Sequence, residues 1–185
     1  MPPFQLRAAV RLLRVGGVIA YPTEAVFGLG CDPLNEAAVS RVLAIKRRSV
    51  TKGLILIAAD FADLEPFLEP LNADQQARLN ATWPGPVTWL LPARPTTPRW
   101  LRGRHDTLAV RVTAHPIAAA LCAAWGGALV STSANLSGRP PARSALAARR
   151  RLGRLVDGVV PGAVGGAARP SEIRDWRSGR VVRPG

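Results

Sequence analysis

Lys46-Arg47-Arg48-Ser49-Val50-Thr51-Lys52 places four cations within seven residues and no acid among them. Arginine grips two oxygens at once and lysine acts as a compact point charge, so the run suits a polyphosphate or a nucleic-acid backbone. The plainer reading is a solvated charge run. Residue choice sets the window apart, because the chain carries 23 arginines and two lysines, and both lysines, Lys46 and Lys52, fall here. A second segment, Ser131-Thr132-Ser133-Ala134-Asn135-Leu136-Ser137-Gly138, gathers four hydroxyls and an amide. These donors and acceptors suit phosphate, ribose or an amino-acid carboxylate, or else they cap a helix or make a turn.

Two more segments add to these. Tyr21-Pro22-Thr23-Glu24-Ala25-Val26-Phe27-Gly28-Leu29-Gly30 reads as a strand that ends in a Pro-Thr turn followed by two spaced glycines. Such a turn either lets backbone amides and the Thr23 hydroxyl approach a ligand at the strand's carboxyl end, or serves chain geometry alone. In Thr107-Leu108-Ala109-Val110-Arg111-Val112, the arginine interrupts an apolar strand. Burying it is costly unless it meets an anion, so Arg111 faces either a ligand or an exposed side of a sheet.

Other chemistries fare worse. No third glycine opens a helix after residue 30, and Gly-Lys-Ser/Thr is absent, so neither a dinucleotide fingerprint nor a Walker loop is present. Cys31 and Cys122 lack partners at metal-ligand spacing and read as small buried hydrophobes. His105 and His115 are too few for a histidine-rich metal centre, and no Ser-His-Asp or Cys-His pairing is suggested. The five tryptophans are scattered and read as core packing rather than a base-stacking platform.

The elements that must hold these segments alternate. Residues 4–15 form a helix with Leu6, Ala9, Val10 and Leu13 on one face, stopped by Gly16-Gly17, and Val18 to Tyr21 is a buried strand. Asn35 caps a helix bearing Ala38, Val39, Val42 and Ile45, whose C-terminal end delivers Lys46. Strands are expected at 54–59, 86–91, 108–112 and 128–131. Helices are expected after Asp60 and at 73–83, 115–125 and 143–156, with a loop at 94–106. Short strands near Val159 and Ile173 precede a turn at 177–180 that leads into Val181-Val182. The pattern predicts an α/β protein whose sheet is mixed.

Composition agrees with one folded unit: 185 residues, 48% hydrophobic, net charge +13. The longest uncharged run, 116–138, is broken by Gly126-Gly127 and falls short of the ~20 apolar residues of a membrane span. No secretory signal is readable. Arg7, Arg11 and Arg14 before the first acid, Glu24, superficially suggest a transit peptide, but a folded helix running into a strand accounts for them better. A cytoplasmic setting is expected.

Taken in order, these segments resemble the YrdC-type threonylcarbamoyl-AMP synthases in their short bacterial TsaC form. The likeness is carried by Tyr-Pro-Thr-Glu-Ala-Val-Phe-Gly at 21–28, Lys46-x-Arg48, Lys-Gly-Leu-Ile at 52–55 and Trp-Pro-Gly-Pro-Val-Thr at 83–88. It continues through Thr-Thr-Pro-Arg-Trp-Leu at 96–101, Leu-Ala-Val-Arg-Val-Thr at 108–113, the 131–138 run and Pro-Ser-Glu-Ile-Arg-Asp at 170–175. The resemblance implies a single catalytic domain over 1–185, a twisted open sheet with flanking helices around a concave basic groove. It also implies an activity: L-threonine, bicarbonate and ATP are joined into threonylcarbamoyl-AMP with release of pyrophosphate. The product would serve N6-threonylcarbamoylation of adenosine 37 in tRNAs reading ANN codons, through a separate transferase complex. By the same resemblance Lys46, Arg48, Ser133 and Asn135 are catalytic and bind ATP together with Lys52, Thr107 and Arg183. Thr23, Arg111, Ser131 and Ser171 line a threonine pocket, and Mg²⁺ arrives held through ATP rather than by protein ligands. Three positions depart from the family's pattern: Ala25 stands where many relatives have threonine, Ser49 where they have proline, and Ile57 where longer relatives have histidine.

The competing class is a non-catalytic basic module that binds double-stranded RNA or tRNA. Residues 139–185 hold 11 arginines against three acids, and Arg143, Arg149, Arg150, Arg151 and Arg154 are expected on the outer face of the 143–156 helix, opposite Ala145, Ala148, Leu152 and Leu155. Such a surface would bind RNA in a salt-dependent way with little sequence preference. Affinity for tRNA is compatible with catalysis as well.

Overall fold

In the computed structural model, which describes residues 1–185, nine strands form one mixed sheet. In chain order these are β1 (Ile19–Pro22), β2 (Phe27–Gly30), β3 (Ile55–Ala58), β4 (Val87–Pro92), β5 (Thr107–Val112), β6 (Leu129–Ser133), β7 (Gly158–Val159), β8 (Glu172–Asp175) and β9 (Val181–Arg183). Across the sheet they run β7-β1-β2-β6-β3-β5-β4-β8-β9. β1 pairs with β7, β3 with β5 and β4 with β8 in parallel; the other pairs are antiparallel. β6 joins the two halves, paired to β2 on one side and β3 on the other.

Alternation along the strands sends side chains to two faces. Val18, Ala20, Phe27, Leu29, Leu56, Val110 and Val130 enter the larger core, closed by helices α2 (Glu36–Lys46) and α6 (Ala145–Leu152). On the other face Ile19, Tyr21, Ile57 and Leu129 pack under α1 (Pro3–Arg14) and α5 (Pro116–Trp125), which supply Ala9, Val10, Leu13, Ala118, Leu121 and Cys122. Those two helices cover only part of that face. Farther along β6 and β5 the same face turns polar at Ser131, Ser133 and Thr107, and there it borders an open cavity.

Local chemistry accounts for most boundaries. The Asn35 side chain accepts from Ala38 N at 3.0 Å to start α2. A reciprocal Asn72–Gln75 capping box starts α3 (Ala73–Asn80), and His115 Nδ1 accepts from Ala118 N at the head of α5. Asp60 caps a single 3-10 turn rather than a helix.

Three further expectations need correction. Residues 27–30, read as the far side of a turn, form strand β2 in a hairpin with β1, because Gly28 and Gly30 sit in the ladder opposite Tyr21 and Ile19. The 94–106 loop contains a one-turn helix, α4 (Arg99–Arg102). The 143–156 helix is shorter: Ser144 Oγ accepts from Ala147 N, and the helix ends at Leu152. Arg143 and Arg154 therefore lie outside it, as does Leu155, and Arg143 is turned to the carbonyls of Ala167 and Ala168. No helix is long and apolar enough to cross a membrane.

Candidate active site

The cavity measures about 530 Å³, within the roughly 300–1,000 Å³ usual for small-molecule sites. All the residues singled out from the sequence line it: Thr23 after β1, Lys46 at the end of α2, Arg48 and Lys52 in the loop beyond, and Thr107 and Arg111 on β5. Ser131 and Ser133 on β6, Asn135 just after it, Ser171 before β8 and Arg183 on β9 complete the set. Gly28 keeps the wall between two of them thin, since a Cβ there would stand 3.3 Å from Ser131 Oγ and 3.4 Å from Thr23 Cγ2.

At one end, Lys46 is buried, and its ammonium donates to Ser133 O at 2.5 Å, Asn135 Oδ1 at 2.7 Å, and Ser133 Oγ and Asn135 O at 3.2 Å each. Ser133 Oγ in turn donates to Asn135 Oδ1 at 2.7 Å, and the Asn135 amide donates to Arg139 O at 2.7 Å. None of these oxygens carries a formal charge. Burial, with Arg48 nearby, lowers the Lys46 pKa to about 8. The chain reaches Arg48 through Arg47, the one non-glycine residue with positive φ, at 46°. Arg48 Nε and Nη2 donate to Gly53 O at 3.2 and 2.9 Å, folding the guanidinium onto the 49–53 loop, and burial lowers its pKa.

At the other end, Arg111 is 5% exposed. Its Nη2 stands 3.1 Å from Glu24 Oε2, yet neither that oxygen nor Arg111 Nε has a hydrogen-bond partner. The hydroxyl of Thr113 donates to Glu24 Oε1 at 2.6 Å. Thr23 Oγ1 donates to Val26 O at 2.7 Å, and the Ser171 and Thr88 hydroxyls lie 3.0 Å apart. Arg183 Nη2 donates to Ser171 O at 2.7 Å; burial, then Arg111 and Arg48, lower the Arg183 pKa.

Sequence reasoning missed Glu24, the one carboxylate in a lining that includes seven lysines and arginines. It also missed Arg102 and His105, which α4 and the following loop bring to the rim. Among the departures, Ala25 lines the cavity, Ser49 caps the 3-10 turn at 50–52, and Ile57 is fully buried in the core under α1 and α5, away from the lining. Cys31 and Cys122 are both fully buried, which pushes each thiol up to about 12.

The Sua5/YciO/YrdC family model, described as "Telomere recombination", matches residues 11–185. The chain belongs to this family. Two relatives, from Nitrosococcus oceani and Halorhodospira halophila, are 61% and 59% identical over 98% of this chain and are covered over 98% and 95% of their own lengths. Both bear the name threonylcarbamoyl-AMP synthase. A crystal structure of P. abyssi Sua5 complexed with L-threonine superposes with a TM-score of 0.92 at 31% identity, covering all of this chain and 55% of that one. Within this Sua5/YciO/YrdC member, the Lys46 ammonium is bonded to the Ser133 and Asn135 side chains in a cavity lined by seven cations, and the buried Arg111–Glu24 pair lines the same cavity. Such a chamber can neutralise phosphates at one end and hold a small charged molecule at the other.

Proposed function

We propose that this chain is a threonylcarbamoyl-AMP synthase, a nucleotidyltransferase that joins L-threonine, bicarbonate and ATP and releases pyrophosphate. The observation that carries the reading is the convergence of Lys46, Arg48, Ser133, Asn135 and Arg111 on one cavity, in a chain 61% identical to a relative of that name. N-carboxy-threonine must attack the α-phosphorus of ATP, and this needs charge neutralisation around the phosphates and exclusion of water. Lys46 and Arg48 would meet the phosphates, with Lys52, Thr107 and Arg183 on the nucleotide. Ser133 and Asn135 would orient the reacting groups, and Thr23, Arg111, Ser131 and Ser171 would receive threonine.

Mg²⁺ belongs to this reading as a companion of ATP, where it offsets phosphate charge. The chain has no cluster of three acidic, histidine or cysteine side chains suited to a metal ion, and Glu24 is the only carboxylate lining the cavity. That donor set fits an ion carried on the phosphates. A separate transferase would then move the threonylcarbamoyl group to tRNA, with the exposed Arg149, Arg150 and Arg151 on α6 available to a phosphate backbone.

The test is pyrophosphate release by the purified protein. The rate should require ATP, threonine and bicarbonate together, and omission of any one should reduce it to background. Release independent of threonine, or none with all three substrates, would sink the assignment.

A further inference from the structure

Glu24 is out of keeping with its surroundings. ATP, bicarbonate and the threonine carboxylate are all anions, and a buried negative charge among seven cations weakens the field that attracts them. Simple charge balance for Arg111 does not account for the geometry. A balancing pair would align carboxylate and guanidinium in parallel hydrogen bonds, whereas here Oε2 and Arg111 Nε, at 3.1 Å separation between Oε2 and Nη2, both lack hydrogen-bond partners. Both side chains are largely shielded, with 13% of the Glu24 and 7% of the Arg111 side chain exposed, so leaving these atoms unmatched is costly.

The carboxylate is also held in place. Thr113 Oγ1 donates to its Oε1, Gly165 N donates to Thr23 O at 3.0 Å, and Ala167 N donates to Glu24 O at 3.1 Å. The buried oxygen left without a hydrogen bond is thus fixed beside a guanidinium, 3.1 Å from Arg111 Nη2. A cation and an anion side by side, each with hydrogen-bonding capacity to spare, match a ligand that carries both charges on groups attached to one carbon.

We propose that Glu24 and Arg111 together receive the head group of an α-amino acid, Glu24 Oε2 accepting from the α-ammonium and Arg111 donating to the α-carboxylate. The inference rests on the threonine-using reading above and adds to it a residue that selects for the amino group. Glu24 then distinguishes an amino acid from the corresponding acid without nitrogen, because the latter leaves the carboxylate buried and unmet.

The test compares L-threonine with (R)-3-hydroxybutyrate, which keeps the carboxylate and hydroxyl and lacks the ammonium. Dissociation constants are measured for both, with ATP present, on wild type and on Glu24→Gln, which preserves shape and removes charge. Wild type should prefer threonine by roughly ten- to hundredfold. Glu24→Gln should bring the two constants to within about threefold of each other by weakening threonine alone, while ATP affinity stays within about twofold. A ratio that survives the substitution means that Glu24 only orients Arg111, and overturns the proposal. Should Glu24→Gln lose ATP affinity as well, Thr113→Val decides: it frees Oε1 without removing the charge and should lower the ratio partway, and an unchanged ratio overturns the proposal. Wild type that binds ATP and fails to bind threonine would instead overturn the synthase reading.

Discussion

Lys46 and Arg111 are both buried cations in one cavity, and the fold treats them differently. Lys46 is surrounded by four neutral oxygens and lacks a counter-ion, so burial lowers its pKa to about 8. Arg111 has a carboxylate at 3.1 Å and retains an unbonded Nε. The lysine end is therefore short of negative charge, and a phosphate arriving there would restore full protonation. The arginine end already contains both signs and offers unfilled hydrogen bonds instead. One end suits a highly charged ligand, and the other a small dipolar one.

The contrast breaks most sharply at Lys46. Lys46→Ala should reduce pyrophosphate release by about 10²–10³-fold, the range for removing a donor aimed at developing charge; a smaller loss than at Arg111 would reverse the assignment of the two ends. Arg111→Lys keeps the charge and removes the fork, and should raise the KM for threonine about tenfold with the KM for ATP unaltered. A matching rise for ATP would show that the two ends are not separable.

Acidity provides a finer cut. Because phosphates favour the ammonium form, ATP affinity should be flat below about pH 8, where Lys46 is already protonated. Above it, affinity should fall by up to about tenfold per pH unit, since binding must then take up a proton. Titration calorimetry on wild type and on Lys46→Arg checks this, for the arginine variant should lack the break. The smallest effect is expected outside the cavity. Replacing Arg149, Arg150 and Arg151 with alanine should leave pyrophosphate release within about twofold, while the salt slope of tRNA binding drops by roughly 0.7–0.9 for each phosphate no longer neutralised.

Local chemistry makes much of the architecture legible from residue types alone. Asn35 as a cap, the apolar run at 54–59 and the hairpin around 177–180 all fall where residue type dictates them. β2 is hidden because its two glycines, which read as turn residues, occupy ladder positions against β1. The helix expected at 143–156 is too long because its arginine-rich pattern and its buried positions, Leu152 and Val156, run on past Gly153, which caps the helix. In the site, the lysines and hydroxyls stand out by type and spacing. Glu24 does not, although it is the first acid in the chain and lies inside the 21–30 segment. Its meaning depends on Arg111 and Thr113, 87 and 89 positions away, and neither separation leaves a periodic trace.

β6 is the seam between two half-sheets, and Ser131 and Ser133 on it are part of the cavity wall. A ligand that holds those serines thus braces the strand whose release would divide the molecule. Occupancy should be felt as global rather than local stability: at a hundredfold excess over its dissociation constant a ligand adds about 2.7 kcal/mol. Amide exchange would register that gain most plainly in residues 129–133, the strand that both halves of the sheet share.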